Sequence, residues 1–266
     1  MSRVERIRPR ERDAILQSLG GGIVPRVGQQ HIQVGRVNEV GALVEDIERV
    51  SEGGSAILFV IGKYGWGQTF FLQLIRPVAM EKRLVTAQAD LTPDRRIHAT
   101  GGQARALYAE LMRNLSTRSR PEGGALPNVV ERFVSTALAD AKAESVAVEQ
   151  VIAKRLEALT EMVGGYEFAE VIAAYCRGHE TGDEALQSAA IRWLRGEYAT
   201  KTEARQDLGV RMIVTDATVY DQLKLLARFV RLADYAGLFI FLDELVNLFK
   251  LANTQARTSN YEQILR

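Results

Sequence analysis

Two stretches of this 266-residue chain carry residue types that could do chemistry together. The first is Ile57-Leu58-Phe59-Val60-Ile61-Gly62-Lys63-Tyr64-Gly65-Trp66-Gly67-Gln68-Thr69-Phe70-Phe71-Leu72, an apolar run that enters a glycine-rich turn and leaves with helical spacing. A phosphate-binding loop reads Gly, four free positions, Gly, Lys, then Ser or Thr. Gly62, Gly67 and Thr69 fall on that template, while Gln68 stands in the lysine position. Glycines let successive backbone N–H groups converge on phosphate oxygens, the helix N-terminus adds partial positive charge, and a threonine hydroxyl can ligate magnesium. The cradle for ATP would therefore run from Gly62 through Lys63, Tyr64, Gly65, Trp66, Gly67, Gln68 and Thr69 to Phe70. Gln68 offers a neutral donor only. Losing a charge-assisted hydrogen bond to a buried phosphate costs roughly 1.5–3 kcal/mol, about one to two decades of affinity. Weakened binding and slow or absent hydrolysis are expected, and a plain glycine-rich turn into a core helix is the competing reading.

The second stretch is Gly237-Leu238-Phe239-Ile240-Phe241-Leu242-Asp243-Glu244-Leu245, a fully apolar strand ending in adjacent carboxylates. At the carboxyl end of a buried parallel strand, neither carboxylate can remain desolvated without a cation or donor. In a P-loop ATPase the first acid holds magnesium beside the loop threonine and the second orients the attacking water. Those roles fall to Asp243 with Thr69 for Mg2+, and to Glu244 as the catalytic residue. The competing reading is an N-cap for a helix starting near Val246.

Positioning these groups requires a parallel sheet. Ser55–Ile61 is short, apolar and bounded by glycines, which predicts a central buried strand. Leu84–Ala89 should form another, ending in the polar turn 90–96 at the edge where ligands sit in open α/β sheets. Arg12–Leu19 and the segment after Asn38, its expected N-cap, read as helices; Pro77 is expected to interrupt the helix that leaves the loop. From Gln103 to about Gln206 the pattern is nearly continuously helical, about five helices, with Gly164-Gly165 as a break and Asp183 as a cap. Val219–Tyr235 is a strongly amphipathic helix leading into the acidic strand. The fold class is thus α/β, a P-loop NTPase core of the additional-strand (ASCE-like) kind, which the resemblance described below narrows to AAA+, with a large helical insertion that separates its two motifs. The expected parts are an N-terminal helix and connector (1–37), the first half of the core (38–102), the insertion (103–206) and the second half with its Walker B acids (207–266).

Net charge is +1, from 34 Lys+Arg against 33 Asp+Glu, so no global field draws the chain to nucleic acid or an acidic membrane. Local exceptions are Arg192, Arg195, Lys201, Arg205 and Arg211, a basic stretch diluted by Glu197, Glu203 and Asp207, for which a solvated face competes with DNA binding. A single cysteine, Cys176, excludes an intramolecular disulfide and reads as a buried thiol in a reducing cytoplasm. The apolar runs are too short to span a bilayer. The three histidines lack metal-ligand spacing.

Val34-Gly35-Arg36 resembles the Gly-Arg-Glu-type element of AAA+ and STAND ATPases, which places Arg36 against the nucleotide, with Glu39 later than the pattern has it. Val24-Pro25, Gly62-x-Tyr64-Gly65-x-Gly67, Asp90-Leu91-Thr92-Pro93, Thr100-Gly101-Gly102-Gln103-Ala104, Leu111-Met112-Arg113-Asn114-Leu115 and Leu242-Asp243-Glu244-Leu245-Val246-Asn247-Leu248 together resemble the ATP-binding BrxC/BrxD proteins of bacterial BREX phage-defence systems, over essentially the whole chain. That resemblance implies an AAA+-like ATPase acting against foreign DNA, with other defence proteins and DNA as partners and a homo-oligomer at full length. Two departures stand out: Trp66 and Gln68 replace the family's serine and lysine, and the sequence reads as truncated before the sensor strand and lid. The alternatives from other classes are a scaffold that binds proteins through the helical insertion, and a DNA-binding module.

Overall fold

Leu84–Asp90 (β1) and Gly237–Asp243 (β2) carry no charge until their last residues, as strands covered on both faces must. They pair in parallel, from Leu84↔Gly237 to Asp90↔Asp243, and form a two-stranded sheet among the described residues. The computed structural model describes residues 7–21, 25, 28–32, 37–62 and 68–265. The chain divides into two compact units, residues 1–82 and 83–266.

The first unit holds α1 (Pro9–Gly20), α2 (Gln29–Ile32), α3 (Val37–Ser51) and α4 (Gln68–Glu81). Leu43 and Ile47 of α3 and Phe71, Ile75 and Ala79 of α4 are buried, the i, i+4 spacing of a helix face turned inward. Three expectations are corrected here. Asn38 lies inside α3, which already begins at Val37. Pro77 does not end α4; its ring is exposed while Ile75, Ala79 and Met80 around it are buried, so packing outweighs one lost backbone bond. Residues 54–62 carry no regular structure where a buried strand was expected, and Ile57 and Ile61 are 65% and 89% exposed. A strand exists only through a neighbour that satisfies its backbone, and β1 and β2 are paired with each other instead.

In the second unit β1 is flanked on its other edge by Ser116: Thr86 N–H donates to the Ser116 carbonyl at 2.9 Å and receives the reverse bond at 2.7 Å. The insertion folds as α5 (Gln103–Arg113), α6 (Leu126–Glu144), α7 (Val148–Thr160), α8 (Gly165–Thr181), α9 (Glu184–Leu194) and α10 (Lys201–Leu208), one helix more than the periodicity predicts. Helix α11 (Val219–Leu232) then leads into β2, and α12 (Val246–Phe249) and α13 (Thr254–Ile264) follow it. Val85, Ala87 and Ala89 of β1 join one continuous core with these helices. Its centre is aromatic: the Phe229 ring lies 5.3 Å from Phe133 and 5.6 Å from Phe168, and Phe168 meets Trp193 edge-on at 6.3 Å. The Gly164-Gly165 break is steric. Gly164 has φ +74°, and a Cβ on Gly165 would sit 1.7 Å from the Leu159 carbonyl oxygen.

Polar groups fix the ends. Asp183 caps α9 as expected, accepting from Leu186 N–H at 3.0 Å. The Asp216 carboxylate caps α5 from across the fold, taking Gly102 N–H at 2.7 Å and Arg105 N–H at 2.8 Å. Where the strands begin, Arg83 and Asp234 both have left-handed backbones, with φ 62° and 63°. The Asp234 carboxylate lies 2.6 Å from Arg132 and 2.9 Å from Arg83, and these guanidiniums hold it below the ordinary carboxylate range. Cys176 is buried as expected, and burial pushes its thiol up to about 12.

Candidate functional site

At the carboxyl edge of the sheet, β2 ends on Asp243 and the chain turns sharply. Glu244 adopts φ 59°, a left-handed conformation that a side chain resists, and its N–H donates to Asp243 Oδ1 at 2.8 Å. This turn carries the backbone straight into α12, whose N-cap is Leu245 with no side-chain cap bond. Leu245, rather than either acid, stands at the N-cap of α12, and Asp243 receives its own neighbour's amide. Left-handed backbone at a non-glycine residue costs of order 1–3 kcal/mol and concentrates where function demands it.

The surroundings add residues that sequence reasoning passed over. Asp90 ends β1 in register with Asp243, so the edge presents an acid on each strand, followed by Glu244. The Asp243 carbonyl accepts from Leu91 N–H at 3.0 Å, and Asn247 Nδ2 donates to the Leu91 carbonyl at 2.8 Å, which locks the turn after β1 to the turn after β2. Asn260 is fully buried and grips the same loop further along. Its Oδ1 accepts from His98 N–H and its Nδ2 donates to the His98 carbonyl, both at 2.9 Å, with Ala256 carbonyl at 2.8 Å. A signal was present for Asp90, the polar end of an apolar strand; nothing in the sequence marks Asn260 as the partner of a loop 162 positions away.

The glycine-rich turn belongs to the first unit and the carboxylates to the second. Arg36 and Lys63, Tyr64, Gly65, Trp66 and Gly67 lie outside the described residues. Gly62 closes the irregular run before them; Gln68 and Thr69 open α4, and Phe70 follows half-buried in its first turn. A helix N-terminus leaves its first N–H groups without intrahelical partners, which suits an anion. Among the described residues no group of three or more His, Cys, Asp or Glu could hold a metal by itself. Asp243 and Glu244 do offer hard oxygen donors of the kind Mg2+ takes with one or two carboxylates plus phosphates. Among the described residues, no helix is long and apolar enough to cross a membrane.

The described residues are mostly helical, with a parallel strand pair that carries acids at its carboxyl ends, the edge at which ligands sit in open α/β sheets. A family model described as BREX system ATP-binding protein BrxC/D matches residues 7–266, and the chain belongs to that family. Membership in a family of ATP-binding proteins supports a P-loop-like fold. No curated protein and no solved structure matches the chain.

Proposed function

We propose that this chain is an ATP-binding protein of a bacterial anti-phage defence system, with a P-loop core of AAA+ type that binds magnesium–ATP weakly and hydrolyses it slowly or not at all. The observation that carries the reading is the acidic turn: an apolar parallel strand ending on Asp243, followed by Glu244 held in a costly left-handed conformation. Family membership supplies the nucleotide. Backbone amides from Gly62 to Thr69 cradle the phosphates, with Lys63, Tyr64, Gly65, Trp66 and Phe70 shaping the loop and Arg36 against the nucleotide. Thr69 and Asp243 hold the magnesium ion, which neutralises charge on the phosphates. Glu244 holds the water. Gln68 leaves the phosphates without the cation that the loop template provides, and Trp66 crowds a turn that must wrap them closely.

Calorimetric titration with magnesium–ATP, comparing the chain with a Trp66→Ser/Gln68→Lys variant, tests this. The variant should bind about ten- to a hundredfold more tightly, the value of one charge-assisted hydrogen bond. If neither protein binds while both remain folded, the nucleotide reading fails and the helical insertion becomes a scaffold for partner proteins.

A further inference from the structure

The turn that carries Glu244 is held from outside itself by one residue of another loop. Leu91, the first residue after β1, is fully buried and has both of its backbone groups engaged across the sheet edge. Its N–H donates to the Asp243 carbonyl at 3.0 Å, and its carbonyl accepts from Asn247 Nδ2 at 2.8 Å. Both ends of the segment 243–247 are therefore fixed on a single residue. Inside that span the backbone must leave an extended strand and enter α12, whose N-cap is Leu245, so the reversal falls on Glu244 and takes it to φ 59°. Asn247 also reaches Glu244 directly, its N–H donating to the Glu244 carbonyl at 2.9 Å. A residue with a side chain persists in the left-handed region only where its surroundings over-determine it, and these bonds are the surroundings.

The orientation of the Asn247 amide is set by the chemistry of its partners. A carbonyl can only accept and an ammonium can only donate, so Nδ2 must face Leu91 and Oδ1 must face Lys250 Nζ, 3.4 Å away. The loop against which Asn247 leans is itself anchored: Thr92 and Arg95 exchange backbone bonds at 3.0 and 3.1 Å, and Arg95 meets Glu110 of α5 at 3.2 Å. Within α12 Leu248 is the buried residue, so little packing holds this short helix and the polar tie sets its place. We propose that Asn247 is a positioning residue: its bond to Leu91 holds Glu244 in the left-handed conformation and so aims the carboxylate. That the carboxylate holds a water rests on the proposed nucleotide function; the hold itself does not.

The first arm of the test needs no nucleotide. Glu244→Gly and Glu244→Ala are melted in the whole chain, with Asn247 and with Asn247→Leu, which keeps the side chain's size and removes its donor. With Asn247 in place the glycine variant should melt roughly 1–4 °C above the alanine variant. With Asn247→Leu the gap should close to less than about 1 °C, because glycine then has no imposed strain to relieve. Asn247→Asp, which keeps an oxygen for Lys250 but has no donor for Leu91, should close it equally, and Lys250→Ala should leave it open. A gap that survives both Asn247 replacements overturns the proposal. The second arm uses the Trp66→Ser/Gln68→Lys background. There Asn247→Leu should lower kcat for ATP about ten- to a hundredfold, the effect of a misplaced group, and leave the Kd for magnesium–ATP within about twofold. An unchanged kcat, or a Kd that weakens as much as kcat falls, overturns the positioning role. If that background shows no binding or no turnover, it is the nucleotide function that fails, and the melting gap alone decides whether Asn247 holds Glu244.

Discussion

Replacing Glu244 by glycine should make the protein more stable while removing the group proposed to hold the attacking water. Glu244 sits at φ 59° with its N–H tied to Asp243 Oδ1 at 2.8 Å, and its side chain is exposed. Truncation to alanine keeps the Cβ and hence the left-handed strain. Glycine removes the strain, at the cost of greater freedom in the unfolded chain. The balance of roughly 1–2 kcal/mol for the strain against 0.5–1 kcal/mol for the entropy leaves Glu244→Gly ahead of Glu244→Ala by about 0.5–1 kcal/mol. For a unit of this size that difference raises the melting temperature by roughly 1–4 °C. Both variants should be melted without nucleotide, alongside Glu244→Asn, which should fall between them because asparagine tolerates this region. A glycine variant no more stable than the alanine variant refutes the strain argument. In a Trp66→Ser/Gln68→Lys background, a glycine variant that still hydrolyses ATP at the background's rate refutes the role given to Glu244.

Other outcomes follow from features away from that turn. Asp234→Asn should cost no more than about 1 kcal/mol at neutral pH, because both arginines that hold the carboxylate are exposed and screened. The sign follows from the depressed folded-state value: the stabilisation is present above the unfolded aspartate value of about 3.9 and is lost as pH falls through the folded one, so urea midpoints of parent and variant should converge as the pH falls through that lower value. Asn260→Ala leaves the His98 N–H and carbonyl without their side-chain partner and should cost about 2–3 kcal/mol in chemical denaturation. Cys176 should resist a thiol reagent at pH 8 in the native protein and react at once in denaturant, since burial raises its value to about 12.

What could be read from the sequence was set by how local each signal is. The acidic strand, the helix before it and the cap at Asp183 depend on neighbours a few residues away, and they stand where periodicity puts them. The run 55–61 failed because apolar character says that a segment could be a strand, while only a partner makes it one. Pro77 failed for the opposite reason: a local rule was overridden by buried residues on the far side of α4. At the candidate site, the place of Asp243 and Glu244 at the end of an apolar parallel strand was legible from the residue pattern. Their latch to the β1 turn through Asn247, and the grip of Asn260 on His98, required knowing which distant loop returns to the same edge.

The register of the sheet also sets an order of events in synthesis. Arg83 and Asp234, which clasp where the two strands begin, are 151 positions apart. At about 5–20 residues per second, a ribosome that has just released β1 needs on the order of ten to thirty seconds to deliver its partner. Throughout that interval one edge of an apolar strand has no β2 to pair with, while the six insertion helices emerge one after another. Helices close on local contacts much faster than the ribosome advances. The insertion is therefore a clock as well as a spacer: it can assemble its core on one face of β1 before the acidic strand exists, leaving a prepared slot for β2 to fill. A stall or slow codon between Gln103 and Leu232 would lengthen the exposure of that edge, and nascent chains arrested there should be the aggregation-prone ones.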